Sequence, residues 1–571
     1  MAKPTVDDTE LLLVHADELE PVLETPVSSE GAGEGEGGGS GYEDPEHLWD
    51  ESRDANDLAS QRWGVIAPEG ESGDELLGRI ERLIARRREQ QGGHEVKIYR
   101  VPPKQSAAEA SRWRKQEFEG PHVRRRDIPR YLLILGDLDQ VSAELQVILG
   151  SDGYVGRLAF AEPRDYETYA DKVLRWEDSP ATIPQARAVF HTVRDRTSAT
   201  TVGHRSLMQP GLTLARRYHG EGDFLASELI EVDHGYTPKP GPLLEEAIKA
   251  EPGLLFTISH GAGAPRGGWG SAEKQRLFQG GMSFGRSGGL LTGEALDGQA
   301  FMPGGLWFMM ACFGAGTPGT SKYEPWLRNL QSAGHFQGSL EAVPASLPVD
   351  GRPFTAAVPK AVLASPDGPL AFIGHVDLAW TYSFRELDTS KPVNRPDRFV
   401  DVLSGLLRHD RVGVAFRELL RHYGQTNTEL TALIESHVDD AERRGHLWML
   451  RNDLAGYVLL GDPAARLPIQ PVVQRAEAAL DPYAALGLSP SPAVSPSSVT
   501  PGAVPQVAPV VLAPDVDAES LERAIGLYLA GEMGANKILR ECDLNLGRKE
   551  FQDLVDRYSA AGRDALGLDL G

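Results

Sequence analysis

Short apolar runs alternating with stretches of helical period begin at Trp63 and continue to about Leu467. Residues 64–67, 96–99 and 131–135 are mostly apolar and of strand length, and the last run ends in Gly136-Asp137. Between them, 75–88 sets Leu76, Leu77, Ile80, Leu83 and Ile84 on one helical face, and 107–119 predicts a second helix. The alternation resumes with strands at 188–192, 254–258, 307–311 and 370–374. Strands this apolar belong in a parallel sheet covered by helices, so the pattern predicts an α/β fold in two consecutive subdomains, 61–180 and 181–470.

The flanks have another texture. Residues 1–60 carry seventeen acidic side chains against Lys3 and Arg53, and the stretch from Gly31 to Ser40 has no large apolar residue to offset the entropy of ordering it. This segment reads as a flexible, disordered acidic tail; the alternative is a docking peptide in 11–23, where Leu11, Leu12, Leu13 and Val14 form its one apolar run. Seven prolines between 490 and 514 mark an extended linker over 471–515. Beyond it, 518–530, 535–541 and 549–559 predict a small helical module, 516–571, with Leu521, Ile525, Leu529, Phe551, Leu554 and Val555 among its core positions. A module of that kind on a tether suits recognition of a partner.

Charge narrows the partners. Lys and Arg number 58 against 82 acidic residues, a net charge of −24 that repels nucleic acid and anionic membrane surfaces. No apolar stretch approaches the ~20 residues that span a bilayer, and no signal peptide is visible, so a cytoplasmic protein is expected. The two cysteines, Cys312 and Cys542, are too few for a disulfide framework and read as thiols, Cys542 in the core of the helical module. His-Glu-x-x-His, Cys-x-x-Cys and phosphate-loop patterns are all missing from the sequence, so neither metal nor cofactor is expected.

Two apolar strands end in reactive residues: Leu254 to Ile258 runs into Ser259-His260-Gly261-Ala262-Gly263, and Leu306 to Ala311 runs into Cys312-Phe313-Gly314. Both emerge at the carboxyl edge of the sheet, where open α/β folds place their sites. A histidine about fifty residues upstream of a cysteine is the order found in one class of cysteine peptidase. The chemistry is a thiolate attack on a carbonyl, with an imidazole protonating the leaving amine and the N–H groups of Gly261 and Cys312 holding the oxyanion.

Around this pair the chain resembles the gingipain-like cysteine peptidases, relatives of caspases in clan CD. The resemblance covers about 60–470 and rests on Leu135-Gly136-Asp137, Ser151-Asp152-Gly153-Tyr154, Gly156-Arg157-Leu158, Asp171-Lys172 with Trp176-Glu177, the strand from Leu370 to Trp380, and Leu460-Gly461-Asp462-Pro463. It implies a caspase-like sandwich and a Cys312–His260 dyad working through a thioester on a protein substrate. Trp380 would wall the S1 pocket. The family's basic-P1 members carry an acid where Ser206 aligns here, so Asp377 and Asp152 become the candidates for favouring Arg or Lys at P1. Asp195 falls where some relatives orient the catalytic histidine, whereas His375, near the same edge but with no small-residue turn after it, is not expected to be the base.

With the acidic tail and the helical module, the resemblance further implies a latent intracellular peptidase, released by an upstream protease or adaptor in a bacterial defence or cell-death pathway, by analogy with caspase-like peptidases tethered to small helical modules. The competing expectation is a catalytically silent scaffold acting through its helical module. Residues 262–305, glycine-rich and bearing Arg266, Lys274, Arg276 and Arg286, read either as a mobile loop cut during activation or as an ordered hairpin using 282–284 and 290–291 as strands.

Overall fold

A computed structural model describes residues 11–23, 54–120, 123, 127–179, 183–232, 235–387, 391–436 and 440–471, together with Phe551 and Val555. Its strands, in chain order, are β1 (Leu13–His15), β2 (Trp63–Pro68), β3 (Lys97–Val101), β4 (Tyr131–Leu135), β5 (Tyr154–Leu158) and β6 (Arg187–Thr192). There follow β7 (Leu229–Val232), β8 (Gly253–Ile258), β9 (His260–Gly263), β10 (Met282–Ser283), β11 (Leu290–Leu291) and β12 (Leu306–Met310). The remainder are β13 (Gly316–Thr317), β14 (Phe354–Thr355), β15 (Ala371–His375), β16 (Arg385–Glu386), β17 (Val393–Asn394) and β18 (Tyr457–Gly461).

Ten of these make one sheet, in the order β3-β2-β4-β5-β18-β15-β12-β8-β6-β7. Every neighbouring pair is parallel except β15 with β18, so the sheet is two parallel halves running in opposite directions. The first half comes mainly from the amino-terminal subdomain, the second from 187–375, and β18 returns at the end of the compact unit to join them. Side chains alternate across the sheet. Val65, Leu133 and Leu135 enter one apolar cluster, and Ile66, Leu132 and Ile134 another, which makes a sandwich with a core on each face.

Helices cover both faces by their apolar stripes. Pro163–Asp178 buries Tyr166, Tyr169, Ala170, Val173 and Leu174, a 3-4 spacing that points one side at the sheet. The helix expected over 75–88 is two, Glu71–Arg79 and Glu81–Gln90, because Ile80 leaves helical geometry to bury its side chain. Several of the blocks that carry the resemblance turn out to be ties between elements. Arg157, buried inside β5, donates to Gln146, to the Gly136 carbonyl and to the Ser142 carbonyl. Asp462 accepts from Arg87 and from the Trp63 indole, while Arg87 also pairs with Glu177. Lys172 donates to the Leu363 and Ser365 carbonyls.

A second, four-stranded sheet has the order β1-β9-β10-β11. Residues 262–305 are therefore ordered as the hairpin alternative, with β10 antiparallel to both β9 and β11. Its first strand corrects the reading of the tail: residues 11–23 do not belong with a disordered segment but lie on the second subdomain, β1 parallel to β9, where their four apolar side chains are buried. Asp54 to Ser60 are described too and lead into the helix Leu58–Gln61.

Residues 482–571 form a separate compact unit. There Phe551 and Val555, two of the expected core positions, are helical and buried. The linker, the rest of the module and Cys542 lie outside the described residues. Among the described residues no helix is long and apolar enough to cross a membrane, and no group of three or more His, Cys, Asp or Glu is placed to hold a metal.

Candidate functional site

The register of the sheet builds the site. β8 and β12 pair with Ile258 opposite Met310, so the chain leaves both strands at the same level, two residues before His260 and before Cys312. β6 pairs with β8 up to Thr192 opposite Ile258, which brings the loop carrying Asp195 and Thr197 to the same edge. β15 runs parallel to β12 and delivers 376–380 on the other side. Gly261 then packs against the backbone of Cys312 so closely that a Cβ there would lie 1.8 Å from the Cys312 carbonyl oxygen. Only glycine permits that approach, and it aligns the N–H groups of residues 261 and 312.

His260 is fully buried and its orientation is fixed by a short relay. Asp195 Oδ1 accepts from the Thr197 N–H (3.1 Å), the Thr197 hydroxyl (2.7 Å) and the Thr200 hydroxyl (2.7 Å). Thr197 has one proton, spent on Asp195, so its oxygen accepts from His260 Nε2–H at 2.8 Å. The other carboxylate oxygen of Asp195 is 3.8 Å from the same nitrogen. This leaves Nδ1 as the nitrogen with a free lone pair, and it makes no hydrogen bond. Burial pushes the His260 imidazolium below its ordinary value, and the Asp195 charge opposes that shift.

The Cys312 sulfur sits between Ala379 groups: it accepts the Ala379 N–H at 3.2 Å and donates to the Ala379 carbonyl at 3.6 Å. Burial pushes the thiol well above its ordinary value, and the Ala379 N–H pulls it partly back. Phe313 has φ 55° and Asp377 φ 84°, both strained for side chains of their kind, and the Phe313 N–H donates to the Asp377 carbonyl at 2.8 Å. Strain of about 1–3 kcal/mol at each residue, held by a mutual hydrogen bond, fixes the two loops that flank the sulfur.

Residues 11–15 lie across this edge. The Leu12 carbonyl accepts from the N–H of Gly261 (3.0 Å) and of Cys312 (3.4 Å), and the Leu12 N–H donates to the Ala379 carbonyl (3.4 Å). Leu11 forms an antiparallel bridge with Trp380. His15 Nδ1 bonds the Ala264 carbonyl at 2.9 Å, and the chain then turns back, the His15 N–H donating to the Glu20 carbonyl. Glu18 and Glu20 pair with Arg266, and Glu20 with Arg286.

Of the residues singled out from sequence, His260, Gly261, Cys312, Asp195 and Trp380 meet at this edge. Trp380 is buried, packed against Tyr323 and Trp326, with its backbone N–H donating to Asp453 Oδ1. Asp377 turns Oδ2 to the Ser321 hydroxyl and the Lys322 N–H, and burial pushes its carboxyl up to about 6. Asp152 pairs with Arg114 in the turn before β5. Ser206 is buried in the helical turn His204–Met208. His375 is a core residue, bonded to the Asp453 and Asp377 carbonyls. Sequence reasoning passed over Thr197 and Ala379, and it named Leu12 only within the docking-peptide alternative; Ala379 and Leu12 act through backbone groups, which no residue type signals.

No family model and no curated protein matches the chain. Solved structures similar to it include the following two. One is described simply as a protease, at 11% identity and a TM-score of 0.38 over 72% of this chain and 80% of the other. The second is the Arg-specific cysteine proteinase gingipain R, at 13% identity and a TM-score of 0.38 over 72% of this chain and 78% of that one. At these values neither speaks to the chemistry of this chain, which has to follow from its own site.

Proposed function

We propose that the chain is a cysteine peptidase acting on protein substrates. The observation that carries the reading is the convergence of the Gly261 and Cys312 N–H groups on one carbonyl oxygen, with a thiol on the second of those residues and a buried, tautomer-fixed imidazole on the neighbouring strand end. A scissile carbonyl placed there has its oxygen polarised by two donors. Cys312 loses its proton to His260 Nδ1, and Sγ bonds to the carbonyl carbon. The tetrahedral centre then collapses to a thioester as the amine leaves with the proton from His260. Water, deprotonated by the same nitrogen, hydrolyses the thioester and restores the thiol. In this reading the helical module, 516–571, serves to bind a partner, in keeping with its proline-rich tether. The test is a peptide library presented to the full chain. Cleavage that vanishes in both Cys312→Ala and His260→Ala supports the assignment, and cleavage retained by either variant overturns it, because the two residues act as a unit.

A further inference from the structure

We propose that residues 11–15 occupy this site in the manner of a substrate, so that the chain restrains itself and its S1 pocket is built for an apolar side chain of leucine size. The inference rests on the peptidase reading and deepens it. Three backbone contacts set the register. The Leu12 carbonyl takes both donors of the oxyanion site, the Leu12 N–H is held by the Ala379 carbonyl, and Leu11 pairs antiparallel with Trp380. A peptide awaiting attack by Cys312 must place its scissile carbonyl in that position. Leu12 is therefore the P1 residue and Leu13 is P1′.

The side chains agree with the backbone. Leu12, Leu13 and Val14 are 0% exposed and Leu11 is 4% exposed, all drawn from a stretch otherwise crowded with acids. The Leu13 side chain lies against Gly263, where a Cβ would come within 2.6 Å of it. The carboxylates that would attract a cationic P1 residue are turned elsewhere: Asp377 accepts from Ser321 and Lys322, and Asp152 is paired with Arg114. The apolar run therefore replaces the expectation of Arg or Lys at P1 with leucine.

A strap must also be held beyond the site, and this one is. After β1 the chain turns so that Glu18 and Glu20 reach Arg266 and Arg286, two basic residues of the hairpin that follows His260. Beside the relay residues Asp195 and Thr197 a cleft of about 370 Å³ remains open, walled in part by Leu19, Glu20 and Pro21, so withdrawal of the segment would widen an existing opening. These ion pairs are exposed and screened by salt, which makes them a release point rather than the main attachment.

The experiment compares the full wild-type chain with Leu13→Asp, which should unseat the apolar run, and with Glu20→Arg, a surface change that repels Arg266 and Arg286 and leaves the core untouched. Alkylation of Cys312 by iodoacetamide is followed by peptide mass spectrometry, with Cys542 as the internal reference thiol. Hydrolysis of fluorogenic peptides carrying Leu, Arg or Asp at P1 is measured in parallel. Both variants should label Cys312 at least about tenfold faster than wild type and cleave the Leu peptide more than about tenfold better than the other two. Unchanged labelling in both variants overturns the occupancy. Faster labelling with Arg or Asp preferred overturns the P1 assignment. Faster labelling with none of the peptides cut upholds the occupancy and refutes the peptidase reading itself.

Discussion

Replacing Thr197 with valine keeps the shape of the side chain and removes one oxygen, and that oxygen is what holds His260 in its productive tautomer. In the native relay the Thr197 hydroxyl gives its proton to Asp195 at 2.7 Å and accepts from His260 Nε2–H at 2.8 Å. With valine the fully buried ring has an N–H and no acceptor, a loss worth roughly 1–3 kcal/mol. The ring escapes it by moving the proton to Nδ1, which is the nitrogen needed as the base. The turnover number should fall by roughly 5- to 150-fold, since each 1.36 kcal/mol is a factor of ten in rate. KM should hold within roughly twofold, because Thr197 acts through His260 and not on the peptide.

The pH profile separates this from a mere structural defect. A hydrogen bond from Nε2–H favours the imidazolium more than the neutral ring, so its loss lowers the His260 pKa further below the ordinary value that burial has already depressed. The acid limb of the rate profile should move to lower pH in Thr197→Val, and also in Asp195→Asn, which removes the negative charge that favours the imidazolium. Thr197→Ser should restore both rate and limb. Steady-state hydrolysis of a Leu-P1 peptide between pH 4 and 9, run in the Glu20→Arg background, gives the answer. A valine variant with wild-type turnover and an unmoved limb, or a serine variant as impaired as valine, would refute the relay.

Two further outcomes follow from the flanking loops. Asp377 has its carboxyl pushed up to about 6 by burial, so the folded chain retains a proton that the unfolded chain has released, and stability falls as pH rises from about 4 through 6. Asp377→Asn keeps an oxygen for Ser321 and Lys322 and should therefore stabilise the chain by about 3 kcal/mol at pH 8 and by nearly nothing at pH 4; an equal effect at both values in urea melts would contradict this. Gly261→Ala forces a methyl group to within 1.8 Å of the Cys312 carbonyl oxygen and should cost about 3 kcal/mol or more in thermal unfolding, whereas wild-type stability would show that the two backbones can part freely.

Much of the second half of the sheet can be read from the chain because buried parallel strands are continuous apolar runs. The runs before His260 and Cys312 are of that kind, and their pairing puts the two residues level. Glycine and arginine inside β5 hide that strand, since Arg157 satisfies its charge with carbonyls and Gln146 that no local pattern announces. Nor does periodicity carry direction, so the reversal between β15 and β18 has no trace in the sequence. The break at Ile80 is equally silent, for its apolar side chain suits a continuous helix as well as a bend. Thr197 is one of many loop hydroxyls until Asp195 and His260 are seen on either side of it.

The amino-terminal segment shows where local reading stops, for reasons of physics. Glu18 and Glu20 belong to a run of acids that looks solvated, and Arg266 and Arg286 to a glycine-rich stretch that looks mobile; each composition taken alone favours disorder. Brought together, each supplies the other's missing partner. The four apolar residues at 11–14 obey the same logic. They are too few to form a core, and their burial of about 1.5–3 kcal/mol per side chain is offset by about 1–2 kcal/mol for every backbone residue ordered between 11 and 23. Over thirteen residues the second term is the larger, so the segment stays seated only with the help of its backbone hydrogen bonds and its exposed ion pairs. A strap bound that weakly is suited to release, since one charge reversal at its turn or one competing leucine peptide at Ala379 is enough to shift the balance.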